Sequence, residues 1–230
     1  MLFRQLFDRE TCTYTYLLAD GREAVLIDPV LAHVDRDVQI IAELGLSLKY
    51  TLETHIHADH VTGADQLRAQ VGCAAVVSEA GRTTGADIQI SHGDVIRFGS
   101  RHLTVRATPG HTDSCVTYVL DDQTMAFTGD ALMIRGCGRT DFQSGSAQTL
   151  YHSVHSQILS LPQSCRLYPG HDYKGRTVTT VAEETAHNPR LGGGNTMEQF
   201  AQIMDNLKLG QPARIHIAVP ANQRCGAPEQ

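Results

Sequence analysis

The chain has 230 residues and an ordinary globular composition, with 41% hydrophobic and 19% charged residues. Its formal net charge of −6 argues against the basic surface that nucleic-acid-binding proteins need, so we expect no nucleic acid partner. No apolar run approaches the length that spans a bilayer, and the first eight residues lack the apolar centre of a secretory signal, which predicts a cytoplasmic protein that has no membrane partner.

Short apolar runs separated by Gly, Asp and Asn predict strands, and longer runs with apolar residues at helical spacing predict helices between them. In chain order these are strands Thr13–Leu18 and Ala24–Ile27, helix Val34–Leu44, strand Leu48–Leu52, helix Gly63–Val71, strands Ala74–Val77, Val95–Phe98, Leu103–Ala107, Val116–Leu120 and Thr124–Phe127, helix Ala147–Leu159, strand Arg166–Tyr168, and helices Thr177–Ala186 and Met197–Leu207. Because strands and helices alternate, this order predicts a layered α/β fold.

No repeat, low-complexity stretch or linker divides the chain. We therefore expect a single domain over residues 1–230, with a short helical C-terminal extension at about residues 174–230. The glycines at positions 192–194 are the only flexible stretch, and we expect them to join two helices rather than two domains.

Three histidines and an aspartate fall within six residues, directly after the predicted strand Leu48–Leu52. They are His55, His57, Asp59 and His60. Buried charges and unpaired imidazoles are costly, so four such side chains cannot all be ordinary core residues. Loops that leave strand ends are also where α/β proteins usually bind ligands. This segment predicts a metal site.

Three further metal-capable residues follow other predicted strands. His111, Asp130 and His171 each come shortly after a strand end, and a glycine precedes each of them and allows a sharp turn. Four strand ends that deliver His or Asp to one rim predict a single site. Spacing alone leaves one or two metal ions open, because all seven positions are filled.

These motifs resemble the metallo-β-lactamase superfamily, from the opening strands to about His171. The resemblance includes the His-x-His-x-Asp-His motif and Asp28. It implies a four-layer αβ/βα sandwich. It also implies two sets of metal ligands, of which one is His55, His57, His111 and Asp130 and the other is Asp59, His60 and His171 with Asp130 as a bridge.

Three segments resemble the persulfide dioxygenases of this superfamily more than glyoxalase II, namely Met133–Gln143, Asn188–Leu191 and Val219–Gly226. That resemblance implies a dioxygenase that oxidises the sulfur of glutathione persulfide to sulfite with O₂ and releases glutathione. The alternative is a glyoxalase II-like hydroxyacylglutathione (thioester) hydrolase with a dinuclear metal site. A non-catalytic persulfide or oxygen sensor is the third interpretation.

The persulfide dioxygenase resemblance implies one Fe(II) per chain, held by His55, His111 and Asp130. Two histidines and one carboxylate leave open positions on octahedral iron, as non-haem oxygenases require. The remaining four metal-capable residues would then orient ligands and bound waters in the catalytic site. They are His57, Asp59, His60 and His171.

Glutathione carries two carboxylates and an ammonium group, so its site needs cations and hydrogen-bond donors. Arg139 is the first candidate, because a guanidinium pairs bidentately with a carboxylate. Tyr173 follows His171 closely and should reach the same cleft. Arg190 is a candidate by the family resemblance, and a surface arginine is the alternative. Cys137, between two glycines, is either a reactive thiol or a packing residue.

We expect glutathione persulfide and O₂ as substrates, and any rhodanese-type sulfurtransferase as a separate chain. A homodimer is compatible with the sequence, which leaves the oligomeric state open. A mature chain from which a presequence had been removed would look the same, and the location would then be mitochondrial. The six cysteines contain no Cys-x-x-Cys pair, so we expect reduced thiols.

Overall fold

A computed structural model of the protein describes residues 1–228. The contacts divide the chain into two compact units. Unit 1 consists of Met1–Ile90, Ile96–His102 and the segment from Gln211 onward, and unit 2 consists of Ser91–Val95 and Leu103–Gly210. The predicted C-terminal extension is therefore divided between the units, because its residues up to Gly210 belong to unit 2 and those from Gln211 onward belong to unit 1.

Unit 1 is built on a six-stranded mixed sheet in the order β1-β2-β3-β4-β5-β6. The first three strands are antiparallel neighbours, and β3 to β6 are parallel. The strands are β1 Leu2–Phe7, β2 Tyr14–Asp20, β3 Glu23–Ile27, β4 Ser47–Leu52, β5 Ala74–Ser78 and β6 Ile88–Ile90. The helices are α1 Val34–Glu43, α2 Ala64–Val71 and α6 Ile215–Asn222.

Helices α1 and α2 follow directly from local sequence. In α1, Val34, Val38 and Ile41 recur at helical spacing and pack against the apolar face of the sheet. Gly45, with φ +62°, follows its end, and Gly72, with φ +74°, ends α2 in the same left-handed conformation. Strand β4 lies between these two helices in the chain, and its carboxyl end leads into the histidine motif.

Unit 2 contains most of a second six-stranded mixed sheet in the order β12-β11-β10-β9-β8-β7. Its strands are β7 Val95–Phe98, β8 Arg101–Ala107, β9 Val116–Leu120, β10 Met125–Gly129, β11 Arg166–Pro169 and β12 Thr179–Thr180. Its helices are α3 Ala147–Ser153, which continues as a π-helical turn over Val154–Ile158, α4 Val181–His187 and α5 Met197–Asp205. Strands β10 and β11 are parallel, so both carboxyl ends lie at one edge.

The second core lies between this sheet and the helices of unit 2. Phe200 of α5 and Leu150 of α3 are fully buried in it, together with Val181 of α4. The glycines at positions 192–194 join α4 to α5, as predicted. Helix α4 begins later than predicted, because Thr179–Thr180 pairs with β11 and the Thr180 side chain caps the helix.

Every predicted strand is present, with ends that differ by a few residues at most. Strands β1, β6 and β12 and helix α6 were not predicted. Within residues 1–228, no helix combines the length and the apolar character that crossing a membrane requires.

Candidate metal centre

The histidine motif lies in an irregular loop between β4 and α2 in unit 1. Thr54 fixes the first histidine. Its amide and its hydroxyl both donate to the Asp28 carboxylate, at 2.7 and 2.8 Å. The hydroxyl has only one hydrogen, which it donates to Asp28. In its 3.0 Å contact with Nδ1 of His55, the imidazole must therefore be the donor. His55 then carries its lone pair on Nε2, which is the form that binds a metal.

His57 is completely buried beside two carboxylates. Its Nε2 lies 3.2 Å from Oδ1 of Asp28 and 3.7 Å from Oε2 of Glu53. Burial alone would lower the pKa of His57, but the charge and hydrogen bond of Asp28 and the charges of Asp59 and Glu53 raise it to about 9. Burial and the Asp28 charge raise the pKa of Glu53. Burial and the neighbouring carboxylates therefore act in opposite directions on the pKa of His57, and the carboxylates have the larger effect.

The loop ends with a second imidazole–carboxylate contact. Nδ1 of His60 lies 3.0 Å from Oδ2 of Asp59, and the Thr13 hydroxyl lies 3.4 Å from both groups. His60 is buried, and Asp59 is partly exposed. The structure therefore brings all four residues of the predicted motif into one compact loop of unit 1.

In unit 2, the loop that follows β10 fixes His111. Nδ1 of His111 donates to the carbonyl oxygen of Arg139 at 2.6 Å, which leaves the lone pair on Nε2. Nε2 lies 3.8 Å from Oδ2 of Asp130, which is too far for a hydrogen bond. A Cβ atom on Gly138 would lie 2.6 Å from the His111 ring, so only glycine allows this approach.

His171 fixes the other oxygen of Asp130. Its Nδ1 lies 2.8 Å from Oδ1 of Asp130, in a buried contact. A Cβ atom on Gly170 would lie 2.9 Å from the same oxygen. The structure therefore brings His111, Asp130 and His171 together in unit 2, with one oxygen of Asp130 bound to His171 and the other facing His111.

The three predicted substrate-binding residues have different surroundings. Arg139 donates through Nε and Nη2 to both oxygens of Asp141, at 2.6 and 2.8 Å, and through Nη1 to the carbonyl of Gly210. Arg190 donates to the carbonyl of Cys137 at 3.0 Å. Tyr173 is 69% exposed, and its ring lies parallel to that of His171 with 6.0 Å between the centroids. Their substrate role stays a prediction.

Cys137 is buried in the core of unit 2, where its thiol lies 3.8 Å from the sulfur of Met204 and 3.7 Å from Nη1 of Arg190. Burial raises the pKa of Cys137 to about 11, against the opposing effect of Arg190, which favours the packing interpretation over the reactive one. A thiol that stays protonated at neutral pH is a poor nucleophile. All six cysteines are free, as predicted.

Sequence reasoning missed the groups that hold the candidate ligands. Thr54 and Gly138 each contact a histidine that is a candidate ligand, and Asn222 contacts the histidine motif from a position far along the chain. For Gly138 a signal existed, because a glycine pair around a cysteine so close to Asp130 indicates close backbone approach. For Asn222 the sequence offered only a segment of family resemblance.

Known proteins are similar to this chain over most of its length. Residues 12–171 match the family described as the metallo-beta-lactamase superfamily. The chain is 59% identical to "Persulfide dioxygenase ETHE1, mitochondrial" of Mus musculus, over 98% of this chain and 89% of that protein. A hydroxyacylglutathione hydrolase of Cereibacter sphaeroides is 32% identical, over 77% of this chain and 69% of that protein.

A solved structure of a protein with the same name is also similar to this chain. The crystal structure of ETHE1 from Myxococcus xanthus matches with a TM-score of 0.95 and 52% identity, over 99% of this chain and 100% of that one. This match confirms the fold class predicted from the sequence, the αβ/βα sandwich. The chain therefore belongs to the metallo-β-lactamase superfamily and, within it, to the persulfide dioxygenases.

Proposed function

We propose that the protein is a glutathione persulfide dioxygenase, which uses O₂ and one iron per chain to convert the outer sulfur of the persulfide to sulfite and release glutathione. The observation that carries this proposal is the near full-length similarity to a persulfide dioxygenase, at 59% identity. The similarity to a hydroxyacylglutathione hydrolase is lower and covers less of both chains, which favours the dioxygenase over the thioester hydrolase.

The residues present fit an iron ion. His55 and His111 each donate from Nδ1 to a fixed oxygen, so that each presents Nε2 as a ligand atom. Asp130 supplies a carboxylate whose second oxygen is bound by His171. Two neutral imidazoles and one carboxylate form the ligand set of non-haem Fe(II) oxygenases. We propose that these three residues hold the iron.

When bound, the iron would supply open coordination positions at which O₂ and the persulfide sulfur meet. The protein's own residues orient its ligands. His171 fixes the carboxylate plane of Asp130, and Thr54 together with Asp28 fixes the ring of His55. His57, Asp59 and His60 complete the loop, and we assign them an orienting role rather than a second metal.

The substrate side of the proposal rests on charge. Arg139 would bind a carboxylate of glutathione, and that carboxylate would share or replace the contact with Asp141. Tyr173 has an exposed hydroxyl-bearing ring next to His171 and is the second candidate. Arg190 would act indirectly, because it donates to the main-chain carbonyl of Cys137, one residue before Gly138.

The deciding experiment measures metal content and activity on the same anaerobically purified protein. We expect close to one iron and little zinc per chain, and O₂ uptake that depends on glutathione persulfide. S-lactoylglutathione serves as the control substrate and should not be hydrolysed. Two metals per chain together with thioester hydrolysis would overturn the dioxygenase and favour the dinuclear hydrolase. Persulfide binding without turnover would favour the sensor.

The partners and the location also remain proposals. We propose a cytoplasmic enzyme that receives persulfide made by a separate sulfurtransferase, and a homodimer as the assembly to test. The mouse relative is named as mitochondrial, so the location needs a direct test. Cell fractionation with an antibody to this chain would decide between the two compartments.

A further inference from the structure

The backbone of the histidine-motif loop needs partners from outside the loop. Residues 53–63 run from the end of β4 to α2 through bends and one isolated bridge, without a regular ladder of hydrogen bonds. His57 and His60 are buried, and their carbonyls lie away from water. A buried carbonyl without a donor costs about as much free energy as a lost hydrogen bond.

One side chain serves three backbone groups of this loop. The amide nitrogen of Asn222 donates to the carbonyls of His57 and His60, both at 2.8 Å. Its oxygen accepts from the amide of Thr62 at 2.9 Å. A side-chain amide offers two N–H groups and one carbonyl, and all of them are used. The two carbonyl partners also fix the orientation of the amide, because a reversed group would place oxygen against oxygen.

The chain around Asn222 is anchored to the same region. We call Asn222, Cys225 and Gly226 the C-terminal clamp. The carbonyl of Cys225 accepts from the amide of Asp65 at 3.0 Å, at the start of α2, and the Cys225 side chain is fully buried. A Cβ atom on Gly226 would lie 2.3 Å from the carbonyl oxygen of Thr62, so this glycine permits direct backbone contact. The clamp therefore holds Asn222 in place independently of any metal.

We propose that Asn222 is a positioning residue for the metal centre, which fixes the histidine-motif loop in its ligand-binding conformation before the metal arrives. The proposal rests on the proposed iron site and adds to it a residue that touches neither metal nor substrate. A loop that is already ordered does not lose conformational entropy when the ion binds, and this saving appears as affinity. Loss of the clamp should therefore weaken metal binding.

The test compares Asn222→Ala and Asn222→Asp with Gln223→Ala. The aspartate variant keeps an acceptor for Thr62 and loses both donors. Gln223 is the matched control, because its side chain is exposed and its contact with Thr84 is made by the main-chain carbonyl. We expect both Asn222 variants to bind Fe(II) about 10–100-fold more weakly in anaerobic competition with a chelator. Gln223→Ala should bind as wild type.

A second measurement does not depend on metal. Amide hydrogen exchange on the metal-free protein should be faster in residues 57–62 of Asn222→Ala than in wild type, and unchanged in Gln223→Ala. The core variant Ile41→Val, which lowers stability away from the loop, separates local from global effects and should keep its Fe(II) affinity. If Asn222→Ala does not fold, Asn222→Asp carries both measurements.

The outcomes separate the two proposals. Fe(II) affinity within twofold of wild type in the Asn222 variants, with or without a change in exchange, would overturn the positioning role. If wild-type protein binds no Fe(II) at all, the proposed function fails. In that case faster amide exchange of residues 57–62 in the metal-free Asn222 variants would still support the role of the clamp in ordering the loop, and an unchanged exchange rate would overturn it.

Discussion

The two groups of candidate ligands are held in different ways. In unit 1, four metal-capable side chains share one irregular loop, and remote side chains such as Asp28 and Asn222 fix it. In unit 2, each candidate follows a different strand, with His111 after β8, Asp130 after β10 and His171 after β11. These three are fixed by each other and by the main chain of residues 138–139.

The difference shows what each arrangement needs from the rest of the chain. The ligands of a contiguous motif are close in sequence, so no particular strand order is needed to bring them together. The backbone of such a motif has no sheet partners, however, and hydrogen bonds from other parts of the chain must fix it. Ligands at separate strand ends are already fixed by the sheet, so they need only correct ring and carboxylate orientations. Variants in each unit test this contrast.

Removal of the proposed iron ligands should have the largest effect. We expect His55→Ala, His111→Ala and Asp130→Ala to lose nearly all iron and activity, because three ligands leave no spare. His57→Ala should keep measurable iron, with affinity reduced about 10–100-fold. Metal analysis after anaerobic purification measures this, with circular dichroism to verify folding. Equal loss in His57→Ala and His55→Ala would contradict the proposed ligand set.

Glu184 should be the main stabilising charge of unit 2. It is fully buried and accepts from the Arg135 guanidinium and amide, from the Thr179 hydroxyl and from the Asn188 amide. Glu184→Ala leaves these donors without their acceptor, so the free energy of unfolding should fall by about 3–5 kcal/mol.

Urea denaturation of the Glu184 variant should be compared with that of Glu198→Ala. Glu198 is exposed in the first turn of α5, and its loss should cost less than about 1 kcal/mol. Similar unfolding curves for the two variants would mean that the buried network contributes little to the stability of unit 2.

Gly138 should be irreplaceable, whereas Gly136 in the same loop should not. A Cβ atom on Gly138 would meet the His111 ring at 2.6 Å and the Asp130 carbonyl at 2.8 Å, so Gly138→Ala must move a proposed ligand. We expect a loss of about 1–3 kcal/mol in stability and weaker iron binding. At Gly136 the nearest atom is the Met133 Cε, at 3.9 Å, and alanine should be tolerated. Thermal melting and chelator competition on both variants would show whether they differ.

Arg139 should affect the substrate more than the metal. Arg139→Ala should leave the iron content unchanged and raise KM for glutathione persulfide about tenfold. This effect is at the lower end of the range for a hydrogen bond to a charged group, because Asp141 already accepts from the guanidinium. The control is Arg166→Ala, an exposed arginine at the start of β11, which should behave as wild type. Steady-state kinetics measures the effect, and an unaltered KM in Arg139→Ala would remove this residue from the substrate site.

The sequence was informative where a signal is local. Alternating apolar residues predicted the central strands, and the spacing of Val34, Val38 and Ile41 predicted α1. The histidine motif was visible because its residues are contiguous. Strand β1 escaped prediction because it lies at the sheet edge with no fully buried face. Helix α6 escaped because Pro220, a residue that usually ends helices, lies inside it.

The supports of the site could not be predicted, because they depend on long-range contacts. Asn222 is 165 residues from His57, and no local sequence pattern near either residue predicts the hydrogen bond between them. Arg139 shows a related limit. Its charge predicted a contact with a carboxylate of glutathione, and in the structure its guanidinium donates to the carboxylate of Asp141. A sequence can indicate the kind of partner that a guanidinium needs, but only the fold shows which carboxylates are within reach.

The separation between Asn222 and the histidine motif also sets an order of events during synthesis. A ribosome that adds about 5–20 residues per second needs roughly 8–33 s to reach residue 222 after it has passed residue 57. During that interval the carbonyls of His57 and His60 lack their amide donor. We therefore expect nascent chains to acquire iron late. Protease protection of residues 57–62 on stalled ribosomes should appear only after residue 222 has left the exit tunnel.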